Sequence, residues 1–391
     1  MSGIPSVALI NNAPTPYRVI FHQRLARQLP QYCFWSVFTH GVSNADWRLD
    51  LPREIRPVFF GTDESSLAAD CGAAQPHEWE KAGRIIQWMK DRSIRAIVLG
   101  GYNDMGRLRI LAWCRRNHIP CLLFGDSNID CDRPAGLQKL VKRCLLPVVL
   151  RNFTSVLCCG TAGEAYFKRY GVSPDRLFRV PYEADYDALQ QLAPDVIAET
   201  RDQFQLPDGR LYILYAGRLV GLKRVDLLIA AFSRVAERWP DWDLLIAGDG
   251  PERTVLENSV PPALRGRVRW VGFINAPRVL AGIYGCARVG VLASDYEPWG
   301  VALTEAACRM PVIASSVVGA ALDVVRDGVN GRVFTAGDLE SLVSCLNDVL
   351  SPSRLQEMTV AAPGVFMEWR RANDPVEGLR RALRQAEPTL V

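Results

Sequence analysis

Short, unbroken apolar runs alternate with amphipathic stretches through nearly the whole of this 391-residue chain, and that rhythm leaves few folds open. In the second half, residues 211–216, 244–247, 268–271, 289–293 and 312–314 read as strands. Their apolar residues are continuous rather than alternating, as expected of strands covered on both faces in a parallel sheet. Between the first two, Val225, Leu228, Ile229, Phe232 and Val235 recur at helical spacing and share one face. The first half repeats the pattern, with strands expected at 7–11, 32–38, 96–99, 120–124 and 154–158 and helices at 18–29, 78–91, 105–117 and 138–150. The expected fold class is therefore α/β, with two doubly wound halves. A content of 49% apolar and 23% charged residues suits two such cores.

Residues 294–319, SDYEPWGVALTEAACRMPVIASSVVG, place a Glu-Pro-x-Gly stop before an Ala-rich helical stretch. Gly300 opens the helix, so the N–H groups of Val301, Ala302 and Leu303 lack intrahelical partners. These donors and the positive end of the helix dipole together suit an anion. Glu297 then lies in the entry loop beside the anion. Glu305 lies about one turn into the helix, within roughly 8 Å of its start at 1.5 Å per residue, and its carboxylate can accept two hydrogen bonds from a ribose diol. The plainer reading is a capped core helix with two solvated glutamates.

Upstream, the strand at 211–216 runs into Gly217-Arg218-Leu219 and, four residues on, Lys223. Two fixed cations at the carboxyl end of a strand suit a pyrophosphate leaving group. The strand at 244–247 ends in Gly248-Asp249-Gly250, which lacks the third Gly of a dinucleotide fingerprint. Gly272-Phe273-Ile274 closes the next strand, where Phe273 is read either as core or as part of the site.

Together these segments resemble the signature of retaining glycosyltransferases of family 4, which have the GT-B fold: two Rossmann-like domains facing across a cleft, with a C-terminal helix that crosses back to the first. The resemblance implies that Arg218 and Lys223 neutralise the donor diphosphate. It implies that Gly248 and Gly250 line the nucleotide side and that the backbone at Gly272, Phe273 and Ile274 meets the base. It sets a domain for the acceptor at 1–185, a domain for the nucleotide sugar at 186–365 and a crossover helix at 366–391. Pro181-Tyr182-Glu183-Ala184-Asp185 stands at the family's Pro-Asn-Gly-x-Asp hinge. The chain departs from the family in several places: Arg224 stands for the Gly after the Lys, Thr161 for a Ser, Val318 for a Gly, Asp323 for a Glu, and Asp126 for the His near the transferred sugar. The loop from Asn11 to Arg18, with Pro14, Pro16 and Tyr17, resembles the opening of bacterial members that build surface polysaccharides. Its Tyr17 and Arg18 are placed to touch acceptor or donor phosphate, or to serve only as a rigid loop.

Charge is unevenly shared. Residues 1–180 carry 24 Lys and Arg against 15 Asp and Glu, a net +9, whereas residues 181–391 carry 22 against 27, a net −5. Arg133, Lys139, Lys142 and Arg143 interleave with Leu137, Leu140, Val141, Leu145 and Leu146, a pattern that suits a helix on an anionic bilayer surface. The alternative is a surface helix with its basic side in water. No nucleic-acid recognition motif accompanies the charge. No apolar run has membrane-spanning length, and the N-terminus does not read as a signal peptide. Eleven scattered cysteines without a Cys-x-x-Cys pair argue for a reducing compartment and against zinc. The expected location is cytoplasmic, peripheral at the inner face of the membrane. Asp185 with Asp187, and Asp241 with Asp243, form Asp-x-Asp pairs that in other glycosyltransferases hold a divalent ion. With Arg218, Lys223 and a helix start available, neither is needed, and His22, His40, His77 and His118 show no metal spacing.

The expected function is retaining transfer of a sugar from a UDP- or GDP-linked donor to a hydroxyl of a glycan, lipid-linked or soluble. Glu297, Asp126, Arg218 and Lys223 would carry the chemistry, with no cofactor and no metal. A sugar-nucleotide epimerase on the same fold, or a non-catalytic nucleotide-sugar-binding protein, would share these features.

Overall fold

The computed structural model describes residues 4–41, 47, 49–61 and 75–386. The chain forms two compact units: Met1–Glu183 with Asn373–Val391, and Ala184–Ala372.

The first unit runs β1 (Ser6–Asn11), α1 (Pro16–Gln28), β2 (Cys33–Phe38), β3 (Pro57–Phe59), α2 (Gln75–Asp91), β4 (Ile94–Gly100), α3 (Met105–Arg116), β5 (Cys121–Gly125), α4 (Gly136–Leu150), β6 (Ser155–Cys158), α5 (Gly160–Arg169) and β7 (Leu177–Arg179). Its seven strands are all parallel, in the order β3-β2-β1-β4-β5-β6-β7. The second unit runs α6 (Tyr186–Gln190), α7 (Pro194–Gln203), β8 (Leu211–Ala216), α8 (Val225–Val235), β9 (Trp242–Ala247), α9 (Arg253–Ser259), β10 (Val268–Gly272), α10 (Pro277–Cys286), β11 (Val289–Leu292), α11 (Val301–Ala307), β12 (Val312–Ser315), α12 (Ala321–Val324), β13 (Gly331–Phe334), α13 (Leu339–Val349) and α14 (Pro352–Ala372). Its six parallel strands are ordered β10-β9-β8-β11-β12-β13. The last helix, α15 (Pro375–Ala386), belongs to the first unit. Both units are Rossmann-like, as the alternation of apolar runs and amphipathic stretches implied.

Every expected strand is present. Three further strands, β3, β7 and β13, were not expected, and all three lie at sheet edges. Edge strands need bury only part of their surface, and β3 and β7 are three residues long. Their apolar runs are therefore too short to stand out.

The first sheet buries Val7 and Leu9 on one face and Ala8 and Ile10 on the other. On the Val7 side, Val376, Leu379 and Leu383 of α15 join Leu25 of α1 and Leu29, which follows it, in one cluster. Gly378 allows this approach, since a Cβ there would sit 2.1 Å from the carbonyl oxygen of Arg179. The crossover begins at Asn373 rather than at 366. Phe366 and Trp369 belong to the second unit because they pack on its Tyr186 and Trp299 rings, at 4.8 and 6.0 Å. The first boundary falls at Glu183 rather than at 185, because Asp185 caps α6 by accepting from the N–H of Ala188 at 3.1 Å.

Candidate active site

In both sheets the strand order reverses beside the first strand, between β1 and β4 and between β8 and β11. Loops leaving the carboxyl ends of two such strands diverge and open a crevice where ligands bind. In the second unit the loops after β8, β9, β10 and β11 leave the carboxyl edge of the sheet, and with the start of α11 they hold the candidates of that half.

The loop after β8 is pinned by its neighbours. The N–H of Gly217 donates to Ala247 at 2.9 Å, that of Leu219 to Asp249 at 2.9 Å, and that of Gly248 to Gly272 at 2.8 Å. Gly248 and Gly250 are required by contact: a Cβ would lie 1.8 Å from the oxygen of Gly217 in one case and 2.3 Å from that of Leu219 in the other. Their first role is thus to let two strand-end loops touch. Arg218 is exposed, and its guanidinium makes no hydrogen bond or ion pair among the described residues. Its backbone oxygen accepts from the buried Tyr215 hydroxyl at 2.7 Å. Burial, with the charge of Glu297 next, raises the pKa of that hydroxyl, while Arg218 opposes the rise.

A 3₁₀ turn, Gly221–Lys223, leads to Arg224 at φ 50°. This left-handed conformation is one that favours glycine. Arg224 accepts the strain and gains partners, Asp295 at 2.7 Å and Asp226 at 3.1 Å. Together with the bond from the N–H of Asp295 to Leu222 at 2.9 Å, it ties the loop after β8 to the loop after β11. The same tie brings Lys223 onto the carboxylate of Glu297 as an ion pair. Glu297 is 9% exposed and also accepts from Ser294 at 3.4 Å. Its backbone carbonyl accepts from Gly319 at 3.1 Å, so the loop around Val318 holds it from the far side.

Gly300 has φ 99°, and a Cβ there would meet Val318 at 3.0 Å and Leu292 at 3.1 Å. It starts α11 as expected, with one correction. The N–H of Leu303 is bonded to the carbonyl of Gly300 at 3.0 Å, so the open donors of the first turn are Val301 and Ala302. Glu305 follows one turn later, on the face of Val301 and Ala302. Its carboxylate accepts from the Tyr284 hydroxyl at 2.7 Å. Burial pushes its pKa up to about 7, and the Tyr284 bond opposes that rise. Phe273, at the end of β10, is 39% exposed and is no core residue, whereas Ile274 beside it is buried. Gly272 adopts φ 73° at the same strand end.

Asp126 lies in the first unit, at the end of β5. It is exposed and accepts from the Tyr182 hydroxyl at 3.1 Å. The Tyr182 ring packs on Tyr17 at 4.7 Å and on Phe124 at 5.2 Å. Arg18 donates to the carbonyl of Ala13 at 2.7 Å and lies over the Tyr17 ring. Tyr17, Arg18, His22, Phe124 and Tyr182 line one cavity, which Asn11 at the end of β1 also borders. His22 is held neutral there, pushed down to about 3 by burial and by Arg18. Asp104 caps α3 by accepting from Arg107 at 2.8 Å and is structural.

Both Asp-x-Asp pairs are likewise occupied. Asp187 binds Arg370 at 2.7 Å, and the buried Asp243 binds Arg210 at 3.1 Å. Among the described residues no cluster of three His, Cys, Asp or Glu comes together to hold a metal.

Helix α4 departs from the expected pattern at Lys142. Leu137, Leu140, Val141, Leu145 and Val148 are exposed, and only Leu146 and Leu150 are buried. Lys142 turns inward instead, to Asp132 and over the Tyr166 ring at 5.0 Å. The exposed side is thus an apolar stripe flanked by Lys139 and Arg143. Among the described residues no helix is long and apolar enough to cross a membrane.

Residues 196–362 match the family model for glycosyl transferases group 1. The chain is 30% identical over 241 residues to an alpha-D-kanosaminyltransferase of Streptomyces kanamyceticus, an alignment that covers 60% of this chain and 62% of that protein. It is 31% identical over 287 residues to a D-inositol 3-phosphate glycosyltransferase of Rhodococcus erythropolis, covering 68% and 59%. The chain thus spans about 60% of the length of these relatives. Among solved structures, Anabaena HepE in complex with UDP and glucose matches with a TM-score of 0.70 at 16% identity, over 98% of each chain. That likeness establishes the GT-B fold.

Proposed function

We propose that this chain, which carries a glycosyl transferases group 1 domain, moves a sugar from a nucleotide diphosphate sugar to a hydroxyl of a glycan, with retention at the anomeric carbon. One observation carries the reading. Lys223 and Glu297, 74 residues apart, meet beside a helix opened by Gly300 at the carboxyl ends of β8 and β11. Arg218 is solvent-facing there, and the N–H groups of Val301 and Ala302 point out of the same helix start. Donors and cations preorganised around a leaving diphosphate stabilise its developing charge, and such electrostatic stabilisation usually contributes most to the rate.

The roles follow from position. Arg218, Lys223 and the start of α11 would neutralise charge that develops on the diphosphate as the glycosidic bond breaks. On binding, Lys223 would exchange Glu297 for the phosphates, which releases the Glu297 carboxylate for sugar hydroxyls. Glu305 would hold the ribose. Gly248, Gly250 and the Gly272, Phe273, Ile274 backbone would flank the nucleoside, whose base is uracil or guanine. The leaving phosphate oxygen would take the acceptor proton, with attack on the face it vacates. Asp126, with Tyr17, Arg18 and Tyr182, would line the acceptor site of the first unit. No cofactor and no metal ion enter this scheme.

The apolar stripe of α4 with Lys139 and Arg143 supports work at an anionic membrane surface, on a lipid-linked saccharide of a surface polysaccharide, from the cytoplasmic side. A mass-spectrometric donor screen, with and without a lipid-linked acceptor extract, tests the reaction. Transfer that persists in excess EDTA is expected. Lys223→Ala should lower turnover by about 10²–10³, the value of one preorganised charge at a leaving group. Donor conversion without acceptor would instead mark an epimerase, and unchanged turnover in Lys223→Ala would remove the phosphate role.

A further inference from the structure

We propose that Tyr284 is a positioning residue for donor binding: from α10 it fixes the direction of the Glu305 carboxylate. The inference rests on the reading of Glu305 as the ribose-holding carboxylate. Tyr284 is 1% exposed, so its ring has no access to solvent. It lies in the wall of a small apolar cavity with Leu214 and Ala216 of β8, Gly290 of β11, and Leu303 and Ala306 of α11. Its hydroxyl donates to Oε2 of Glu305 at 2.7 Å. The carbonyl of Ala302, at 3.5 Å, is the weaker acceptor nearby. A carboxylate bound to a buried phenol keeps one oxygen engaged and one fixed in direction, which is what a ribose diol needs from it.

The same bond governs charge. Burial holds the Glu305 carboxyl at about 7, so it is partly protonated at neutral pH, and a protonated acid offers a diol fewer acceptor sites. Tyr284 is the group that pulls the other way. Burial and the Glu305 charge push the phenol itself up, so it remains a donor throughout this range. Cys308, the titratable neighbour on the same helix end, does not titrate there. Cys308, whose thiol donates to the Glu305 carbonyl at 3.0 Å, is pushed up to about 12 by burial. Arg309 donates to the carbonyl of Leu189 and Arg370 binds Asp187 at 2.7 Å.

The test is isothermal calorimetry with UDP-glucose and GDP-mannose from pH 6 to 8.5. Both donors carry an esterified terminal phosphate, which removes the titration of the ligand itself. Wild-type affinity should rise about tenfold between pH 6 and 8, one proton being lost near pH 7. Tyr284→Phe, which keeps the ring and the packing, should bind at least tenfold more weakly at pH 7 and shift the midpoint upward, as expected for loss of a hydrogen bond to a charged group. Glu305→Gln should bind weakly with a flat pH profile, and adding Tyr284→Phe to it should cost little more. If Tyr284→Phe keeps wild-type affinity and midpoint while Glu305→Gln is weak and flat, Tyr284 only fills space and the proposal is wrong. Wild-type behaviour of Glu305→Gln would instead overturn the ribose assignment on which it rests.

Discussion

Gly250→Ala removes no polar group and touches no candidate side chain, yet it should disable the site. The new Cβ would stand 2.3 Å from the carbonyl oxygen of Leu219 and 2.8 Å from its carbon and nitrogen, where ordinary contact begins at 3.4 Å. The two loops must therefore separate by about 1 Å. Leu219 cannot yield alone. Its side chain is fully buried, its N–H is held by Asp249 at 2.9 Å, and its carbonyl accepts from Glu252 at 3.2 Å. The displacement passes to Arg218 on one side of it and to Lys223 four residues on. A misplacement of about 1 Å at a reacting centre costs on the order of 10² in rate. Overpacking of this kind should also lower stability by about 1–3 kcal/mol. The φ of Gly250 lies outside the left-handed region, so an alanine there is penalised by contact alone. Gly266→Ala, where a Cβ meets nothing within 4 Å, is the control and should behave as wild type. Initial rates of donor consumption at saturating donor, with thermal melts of both variants, decide the matter. Turnover of Gly250→Ala within about threefold of wild type would refute the claim that this contact sets the cations.

Two further outcomes are expected. Arg24→Ala should destabilise the protein by about 3 kcal/mol in thermal denaturation, because it strips a cation from the buried Glu183, 2% exposed, and from Asp374 at 2.6 Å; an unchanged melting temperature would mean that Glu183 needs no such partner. In vesicle co-sedimentation, the double variant Lys139→Gln/Arg143→Gln should partition about 30-fold less onto anionic bilayers, at about 1 kcal/mol per charge, and Leu140→Ser/Leu145→Ser should weaken binding at high salt as well; equal sedimentation of all three proteins would leave α4 an ordinary surface helix.

The sheets were readable because a parallel strand covered on both faces must be a continuous apolar run. Leu211–Ala216 and Trp242–Ala247 lie at the centre of such a sheet and are buried through most of their length. The edges were not readable for the converse reason. Gly331–Phe334 includes the half-exposed Arg332, and its pairing depends on Gly331 fitting against the carbonyl of Val312, where a Cβ would lie 2.2 Å away. Helix α4 shows a different limit. Its spacing of apolar and basic residues is that of any amphipathic helix, and period alone cannot say which side meets the sheet. Asp132 and the rings of Tyr166 and Tyr170 draw Lys142 inward, and none of the three lies within the helix.

The candidate site was legible wherever the backbone itself constrains the residue. Gly300 must be Gly at φ 99°, and Gly248 and Gly250 must lack a Cβ, so each left a mark that spacing could find. What spacing could not supply is who holds whom. Lys223 and Glu297 each stood out, yet nothing in either segment says that they pair, because the pairing is made by Arg224 reaching Asp295 and by the bond from Asp295 to Leu222. Tyr284 is the extreme case. In Pro277–Cys286 it is one apolar residue on the buried side of an amphipathic helix, and its ring packs as a Phe would. Its single polar atom meets Glu305 only because α10 and α11 pack against the same sheet, 21 residues apart in the chain. A residue whose packing is generic and whose chemistry lies in one terminal oxygen leaves no periodic trace, so such supports must be found from the fold inward.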